Sequence, residues 1–200
     1  MGVLALQGDF REHVQVFAEL GVDARLVKQP RELQGLTHLV IPGGESTTIS
    51  MLAQSSGLVG PIAEMIKDGC AFFGTCAGMI LLCAEILDGR EDQIAFGAID
   101  ITVRRNGFGR QVNSFEAALE IEGIDGPPMV AAFIRAPVVT RVGAGVEVIS
   151  QVAYEFGNGK VDTVPAVCRT ANVLVSSFHP EVTGDVRLHK LFVKDFKVGS

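Results

Sequence analysis

The residue types best suited to chemistry lie at two places far apart in the chain. Cys76 is at the centre of residues 74–78, Gly-Thr-Cys-Ala-Gly, which are preceded by apolar residues 71–73 and followed by apolar residues 79–82. An apolar run, a cysteine flanked by glycines and a second apolar run predict a strand, a sharp turn and a helix. This is the Gly-x-Cys-x-Gly form of a nucleophile elbow. It places the thiol at a helix N-terminus, where a negative charge is stabilised.

The second place is the segment Ser-Phe-His-Pro-Glu at residues 177–181. Pro180 pushes the backbone of His179 towards an extended conformation, in which residues two apart face the same side. His179 and Glu181 are therefore expected to face one site, with Glu181 bonded to one imidazole nitrogen and the other nitrogen free to act on a thiol. Taken alone, the pair also fits a loop histidine beside a solvated glutamate. Combined with Cys76, it predicts a nucleophile, a base and an orienting carboxylate for acyl transfer.

The other cysteines and histidines fit structural roles. Three thiols lie in apolar surroundings and are expected to be buried as small hydrophobes: Cys70, Cys83 and Cys168. Three imidazoles are predicted to lie on the surface: His13, His38 and His189. No C-x-x-C pair is present, so we expect no zinc site. The spacings of a dinucleotide loop and of a phosphate-binding P-loop are also missing, and no cofactor is expected.

The apolar pattern predicts the elements that must position these groups. In the first half, strands are expected at residues 3–6, 24–27, 39–41 and 72–73. Helices are expected after a capping box of Asp9 and Glu12, after Ser46 as an N-cap, and at residues 59–67 and 77–87. In the second half, strands are expected at residues 99–103, 117–121, 130–134, 146–152, 164–168 and 173–176, and a last helix at residues 185–196.

Strands that alternate with helices indicate parallel β-α-β units. We therefore expect one α/β domain over residues 1–200, with an open, mostly parallel sheet, helices on both faces and some antiparallel later strands. Ligands bind outside the carboxyl ends of parallel strands in such sheets. Three predicted turns follow such ends, at residues 7–8, 42–46 and 74–76. They form one site if the strand order brings them together.

Composition excludes several classes of function. The net charge of −6 argues against nucleic acid as the main partner. The longest uncharged apolar stretch, residues 70–84, is shorter than the roughly 20 residues that a membrane span needs. The first residues show no basic segment of a secretory signal, so we expect a cytoplasmic location.

A thiol nucleophile also needs donors for the oxyanion that forms during acyl transfer. The backbone N–H of Ala77 follows the nucleophile directly, and the loop at Gly43 and Gly44 is a candidate for the second donor. An ordinary turn after a strand would also explain the two glycines.

The cysteine motif at residues 74–78 and the histidine motif at residues 178–181 resemble those of the triad-type, or class I, glutamine amidotransferases. Further segments narrow the resemblance to the glutaminase subunits of pyridoxal 5′-phosphate synthase. These segments are residues 6–8, 11–13, 42–47, 105–111, 114–116 and 133–137, and the resemblance extends from Gly2 to about Phe192.

The resemblance implies a flavodoxin-like fold, hydrolysis of L-glutamine, and delivery of the ammonia to a separate (β/α)₈-barrel synthase subunit that makes the vitamin B6 coenzyme. It implies that Cys76 is the nucleophile, His179 the general base and acid, and Glu181 the orienting group. It assigns the oxyanion donors to Gly44 and Ala77, and the glutamine contacts to Gly44, Glu45, Ser46, Arg105, Ile134 and Arg135. It places Gln7 near the oxyanion loop, at the surface that faces the synthase. Guanidinium groups suit the substrate's α-carboxylate, so Arg105 and Arg135 are the candidates for that contact.

Two other functions fit parts of the pattern. A thiol sensor without catalytic activity on a flavodoxin-like scaffold would also have an elbow cysteine, but it needs no His179 and Glu181. A class I glutaminase that serves another synthase would share the triad, and the arginine-containing motifs at residues 105–111 and 133–137 count against it.

Overall fold

The computed structural model describes residues 1–105, 107, 114–155 and 161–196. The strands are β1 (Gly2–Leu4), β2 (Arg25–Val27), β3 (His38–Ile41), β4 (Ala71–Thr75), β5 (Cys83–Ile86), β6 (Ile99–Arg104), β7 (Ser114–Leu119), β8 (Met129–Ile134), β9 (Val138–Val142), β10 (Glu147–Glu155), β11 (Val161–Arg169) and β12 (Val173–Ser176). The α-helices are α1 (Phe10–Glu19), α2 (Ser46–Ser55), α3 (Val59–Lys67), α4 (Ala77–Leu82) and α5 (Arg187–Asp195), with 3₁₀ turns at Pro30–Leu33 and Pro180–Val182. Part of the predicted motif at residues 105–111 lies outside the described residues.

The main sheet contains seven strands within the described residues, in the order β10-β11-β12-β4-β3-β1-β2. From β12 to β2 the neighbours are parallel, whereas β10, β11 and β12 pair in antiparallel fashion. The predicted open, mostly parallel sheet with antiparallel later strands is therefore confirmed. Strands β5, β6 and β9 form a separate small sheet, and β7 pairs with β8. We did not expect these smaller sheets, because an alternating apolar pattern does not specify which strand is the partner.

Both faces of the main sheet are covered by helices. In β3, Leu39 and Ile41 belong to the apolar cluster that contains side chains of α2, α3 and α4. Val40, on the opposite face, belongs to the cluster that contains side chains of α1 and α5. Successive residues of a strand point to opposite faces, so each central strand contributes to both cores. The result is a three-layer arrangement that leaves the carboxyl ends of the parallel strands accessible between loops.

The prediction of one helix over residues 77–87 was wrong, because α4 ends at Leu82 and Cys83–Ile86 is strand β5. The backbone N–H groups of Phe96 and Ala98 donate to the carbonyls of Leu81 and Leu82, at 2.8 and 2.9 Å. These bonds satisfy carbonyls that a continuing helix would have used. Pairing of β5 with β6 thus outweighs the helix propensity of the local sequence.

Of the two predicted helix caps, one was right in position and the other was wrong. Asp9 is the N-cap of α1, as predicted, but its side chain makes no capping hydrogen bond. Glu45, and not Ser46, is the N-cap of α2, and its carboxylate accepts from the backbone N–H groups of Thr47 and Thr48. Strand β9 was not predicted. It is specified by antiparallel pairing with β6.

The prediction that the additional histidines lie on the surface was wrong. His13 and His189 are fully buried, and His38 is partly buried. His13 lies on the inward face of α1 with Val16 and Phe17, and His189 lies on the inward face of α5. Burial lowers the pKa of His13 well below its ordinary value and lowers the pKa of His189 to about 3. Both side chains are therefore neutral parts of the core at physiological pH.

Helix α4 lies very close to the sheet. A Cβ added at Gly78 would lie 1.9 Å from the carbonyl oxygen of Ile41. No side chain larger than the hydrogen of glycine fits at this contact unless α4 moves away from β3. The second glycine of the predicted elbow motif is therefore required by packing.

We predict that Gly78→Ala destabilises the protein by about 3 kcal/mol, the upper end of the usual cost of overpacking, because the contact that must yield is backbone. Gly145→Ala is the matched control: Gly145 has a φ of 79° and no heavy atom within 4 Å of an added Cβ. That variant tests left-handed backbone strain alone and should cost only about 1–2 kcal/mol. Denaturant unfolding measures both free energies. Equal losses in the two variants would contradict the proposed close approach.

Candidate functional site

The sharp turn at Cys76 forms the centre of the candidate site. Cys76 has a φ of 48°, in the left-handed region that non-glycine residues seldom adopt, and it is the N-cap of α4. Its backbone N–H donates to the carbonyl of Ser176 in β12 at 2.8 Å. Cys76 is only 5% exposed, and its Sγ lies 3.9 Å from the carbonyl oxygen of Ile134. The predicted sequence of strand, turn and helix is confirmed at this position.

His179 and Glu181 lie beside the thiol, after the end of β12. The backbone N–H of His179 donates to the Ala132 carbonyl in β8 at 3.0 Å, which anchors the segment. Nδ1 of His179 lies 2.7 Å from Oε1 of Glu181, and both side chains are buried. Although burial opposes the charged imidazole, hydrogen bonds with Asp9, Cys76 and Glu181 raise the pKa of His179 well above its ordinary value. Burial raises the pKa of Glu181.

The structure places a second carboxylate on His179 that the sequence analysis missed. Oδ2 of Asp9 lies 3.2 Å from Nδ1 of His179, and the Asp9 side chain is 40% exposed. Possible ligand atoms of Asp9, His179 and Glu181 all lie within 4.8 Å of one another. The distances from Nδ1 to the two carboxylates are those of hydrogen bonds, and we interpret the group as an imidazole held between two acids. The only sequence signal was the position of Asp9 directly after the Gln7-Gly8 turn.

The loop at Gly43 is attached to its surroundings on both sides. Its N–H donates to Oγ1 of Thr75 at 3.0 Å, and its carbonyl accepts from the N–H of Asp9 at 3.1 Å. Gln7 reaches the same loop, since its Oε1 accepts from the N–H of Glu45 at 2.7 Å. The turn after β1 and the loop after β3 are therefore joined by direct hydrogen bonds, as their positions beside each other in the sheet allow.

A cavity of ≈ 350 Å³ lies in front of the thiol. Its lining contains all three turns that were predicted to meet: Gln7, Gly8, Asp9, Gly44, Glu45, Ser46, Cys76, Ile80, Arg105, Ile134, Arg135, His179 and Val182. Ala77 follows Cys76 as the first residue of α4. A second cavity of ≈ 490 Å³ lies between β9 and β11, lined in part by Thr140 and Asp162. We assign the chemistry to the smaller cavity because it contains the thiol and the imidazole.

Charged groups at the far side of this cavity pair with one another. The guanidinium of Arg105 lies 3.3 Å from Oε1 of Glu45 and donates to Oε1 of Gln93 at 2.9 Å. Glu45 therefore has two tasks, as the N-cap of α2 and as the ion-pair partner of Arg105. Arg135 has a φ of 46°, a strained conformation at the rim of the cavity. Gln93 was missed by the sequence analysis and had no motif to identify it.

The fold and the thiol-containing site define a glutamine amidotransferase. The chain is similar to the protein in a solved structure described as "Crystal structure of glutamine amidotransferase", with 45% identity, a TM-score of 0.87 and coverage of 98% of both chains. Thus a protein of that class has the same fold over nearly the whole of this chain.

The chain belongs to the SNO glutamine amidotransferase family, which matches it over residues 3–198. It is 56% identical to "Pyridoxal 5′-phosphate synthase subunit PdxT" of Salinispora arenicola (strain CNS-205), over 96% of this chain and 94% of the relative. It is 54% identical to the protein of the same name from Rhodococcus opacus (strain B4), over 96% and 95%. Among the described residues, no helix is long and apolar enough to cross a bilayer.

We predict that Asp9→Asn lowers the pKa of His179, because the substitution removes one of the two carboxylates that favour the imidazolium. A ¹⁵N NMR titration of histidine-labelled protein measures this pKa directly. Glu12→Gln removes the same charge from the exposed side of α1 and is the matched control. A His179 pKa unchanged in Asp9→Asn, or lowered equally in the control, would show that the 3.2 Å contact has no electrostatic effect in solution.

Proposed function

We propose that this protein hydrolyses L-glutamine to L-glutamate and ammonia with a triad of Cys76, His179 and Glu181. We further propose that it passes the ammonia to the synthase subunit that makes pyridoxal 5′-phosphate. The observation that carries the proposal is the buried His179–Glu181 pair beside the elbow thiol, in a chain more than half identical to named synthase subunits. The family model spans nearly all of the chain, which supports one catalytic domain over residues 1–200.

The chemistry begins at the side-chain amide of glutamine. Sγ of Cys76 attacks the amide carbon, and the proton of the thiol reaches the leaving nitrogen through His179, so that ammonia departs and a thioester remains. Water activated by His179 then adds to the thioester, which releases glutamate and restores the thiol. Glu181 fixes the orientation of the imidazole by its 2.7 Å contact with Nδ1 and stabilises the imidazolium as it forms.

Two backbone donors are proposed for the oxyanion. Ala77 is the first residue of α4, so its N–H has no partner within the helix and points towards the start of the helix. Gly44 N–H is the second donor, from the loop that lies across the cavity. Loss of one such donor lowers the rate by roughly 10²–10³.

The far side of the cavity supplies the groups that recognise an amino acid. We propose that Arg105 and Arg135 hold the α-carboxylate, and that the carboxylate of Glu45 holds the α-ammonium group. Backbone atoms of Gly44, Ser46 and Ile134 complete the contacts. In the structure, Arg105 already pairs with Glu45, so both charges are in place before the zwitterionic substrate binds. This ion pair is partly exposed to solvent and contributes little stability. Replacing it by contacts with the substrate therefore costs little free energy.

The proposed nucleophile is tested by comparing two cysteine variants. Cys76→Ala should abolish ammonia release from glutamine, measured with the synthase subunit present, whereas Cys70→Ala should keep it. Cys70 is partly buried and burial raises its pKa, as it raises the pKa of Cys83 and Cys168 to about 12. A glutamine-like diazo-ketone should therefore label Cys76 alone. Full activity of Cys76→Ala, or labelling spread over the four thiols, would support the thiol-sensor alternative.

We propose that the synthase partner, a (β/α)₈ barrel, docks against the Gln7 turn and switches on the oxyanion loop. Rotation of the peptide between Gly43 and Gly44 must break the hydrogen bond from the N–H of Asp9 to the Gly43 carbonyl. One such bond contributes only about 1 kcal/mol, so contacts with a partner are sufficient to change the population of the two loop states.

The cytoplasmic location expected from the sequence stays a prediction.

The partner switch is tested by measuring glutamine turnover alone and with saturating synthase. Addition of synthase should raise turnover by roughly 10²–10³, the effect of one oxyanion donor. Gln7→Ala should diminish this increase, because Gln7 holds the loop through the N–H of Glu45. Gln15→Ala, on the exposed face of α1, should not. Equal turnover with and without synthase would rule out the switch, and full activation of Gln7→Ala would remove Gln7 from it.

A further inference from the structure

A chain of buried polar groups lies directly behind the triad and takes no part in the mechanism above. Nε2 of His13 lies 3.5 Å from Oε2 of Glu181 and 3.1 Å from Oγ1 of Thr75. Nδ1 of the same ring lies 2.8 Å from Nε2 of His189. The side chains of His13 and Glu181 are both completely buried. These groups therefore interact without competition from bulk water.

The contacts of the four groups select one proton arrangement. Oε2 of Glu181 and Nδ1 of His189 have no hydrogen-bond partner within the described residues. If Nδ1 of His13 held the proton, its bare Nε2 would face the carboxylate, and His189 would bury an N–H without an acceptor. If His189 is protonated at Nε2 and donates to Nδ1 of His13, then Nε2–H of His13 points at Thr75 and Glu181. Each arrangement leaves one buried donor without an acceptor, the Nδ1–H of His189 in the first and the hydroxyl of Thr75 in the second. The 3.5 Å approach of Nε2 to the carboxylate therefore decides, because the carboxylate attracts an N–H and repels a lone pair.

We infer that His13 is a positioning residue of the triad: its Nε2–H faces the second oxygen of Glu181 from 3.5 Å and, by electrostatic attraction, keeps that carboxylate ionised and oriented towards His179. The first oxygen of Glu181 contacts His179 at 2.7 Å, whereas the second has no hydrogen bond among the described residues and faces Nε2 of His13 at 3.5 Å. His189 fixes the tautomer of His13 from the opposite side. The inference rests on the triad of the proposed function and extends it into the core.

Thr75 extends the same cluster to the oxyanion loop. Its hydroxyl oxygen receives the N–H of Gly43 at 3.0 Å and also faces Nε2 of His13 at 3.1 Å. His13 therefore lies at the junction of two parts of the machinery, the triad carboxylate and the loop that contains the proposed second oxyanion donor. Thr75 is itself completely buried and immediately precedes the nucleophile Cys76.

The ionisable groups around this junction are few among the described residues. His13 faces His189 from α5, Glu181 from the 3₁₀ turn, and the charge of His179. Glu181 in turn faces His179, His13 and, more remotely, Asp9. Burial and the two neighbouring imidazoles lower the pKa of His13, so it remains a neutral donor through the range in which enzymes are assayed. The aromatic rings of Phe17 and Phe73 surround His189 and exclude water from it.

The tautomer is measured in the unmodified chain by long-range ¹H–¹⁵N NMR of histidine-labelled protein. The sequence contains four histidines, so each ring is assigned by one substitution. We expect His13 and His189 both to be neutral and protonated at Nε2 at pH 7. A His13 ring protonated at Nδ1 would overturn the inference, whatever the behaviour of any variant.

The functional consequence is tested with two variants of similar disruption. His13→Gln keeps an N–H donor near the Nε2 position and loses the contact with His189. His13→Asn keeps a polar group near the Nδ1 position and loses the N–H that faces Glu181. Both leave one buried partner unsatisfied, so similar losses of stability are expected. Only His13→Asn should make Glu181 easier to protonate and so weaken its support of the His179 imidazolium.

The readout is the rate at which iodoacetamide alkylates Cys76, measured against pH. The acid limb of this profile should move to higher pH in His13→Asn and stay in place in His13→Gln. The rate at pH 6 should fall roughly tenfold in the first variant, comparable to the lower end of losses seen when the hydrogen-bond partner of a metal-ligating side chain is removed. Equal displacement in both variants, or none in either, would show a purely structural role and overturn the inference. Iodoacetamide needs no glutamine, so a chain that showed the expected profiles but released no ammonia would contradict the proposed function alone.

Discussion

The positive φ of Cys76 is the constraint on which the rest of the site depends. A residue in this conformation ends β4 and begins α4 without an intervening loop, so the thiol stays at the sheet edge and at a helix N-terminus at once. Such a conformation costs on the order of 1–3 kcal/mol and persists only where the surroundings determine it. Here three features determine it: β4 is fully buried, the backbone N–H of Cys76 donates a hydrogen bond to β12, and α4 packs against the Ile41 carbonyl.

The position of β4 in the sheet determines what surrounds the thiol. Its neighbours are β3 and β12, and both run parallel to it. The chain that leaves β3 forms the Gly43 loop, and the chain that leaves β12 continues to His179. Parallel neighbours end at the same edge, so the Gly43 loop and the imidazole of His179 approach the thiol from opposite sides. The inserted β7-β8 hairpin adds Ile134 and Arg135 above them.

His179 is held by two carboxylates that differ in their exposure to solvent. Glu181 is inaccessible, whereas Asp9 is 40% exposed on the turn that also contains Gln7. The buried acid has a strong effect on the imidazole because little water screens it, and the exposed acid has a weaker one. The same turn donates from the N–H of Asp9 to the Gly43 carbonyl. A single surface segment therefore contacts both His179 and the Gly43 loop.

The sequence alone determined the local chemistry of the site. Glycines around Cys76, a proline after His179 and a carboxylate two residues further are short-range signals, because turn geometry and extended backbone depend on neighbours in the chain. The alternation of strands and helices likewise predicted the parallel sheet. Tertiary structure decided what depends on distant partners: the end of α4 at Leu82, the burial of His13 and His189, and the approach of Asp9 to His179. A histidine on a helix looks the same in sequence whether its face packs against a sheet or meets water, and only the packed chain supplies the buried carboxylate and hydroxyl that give it a partner.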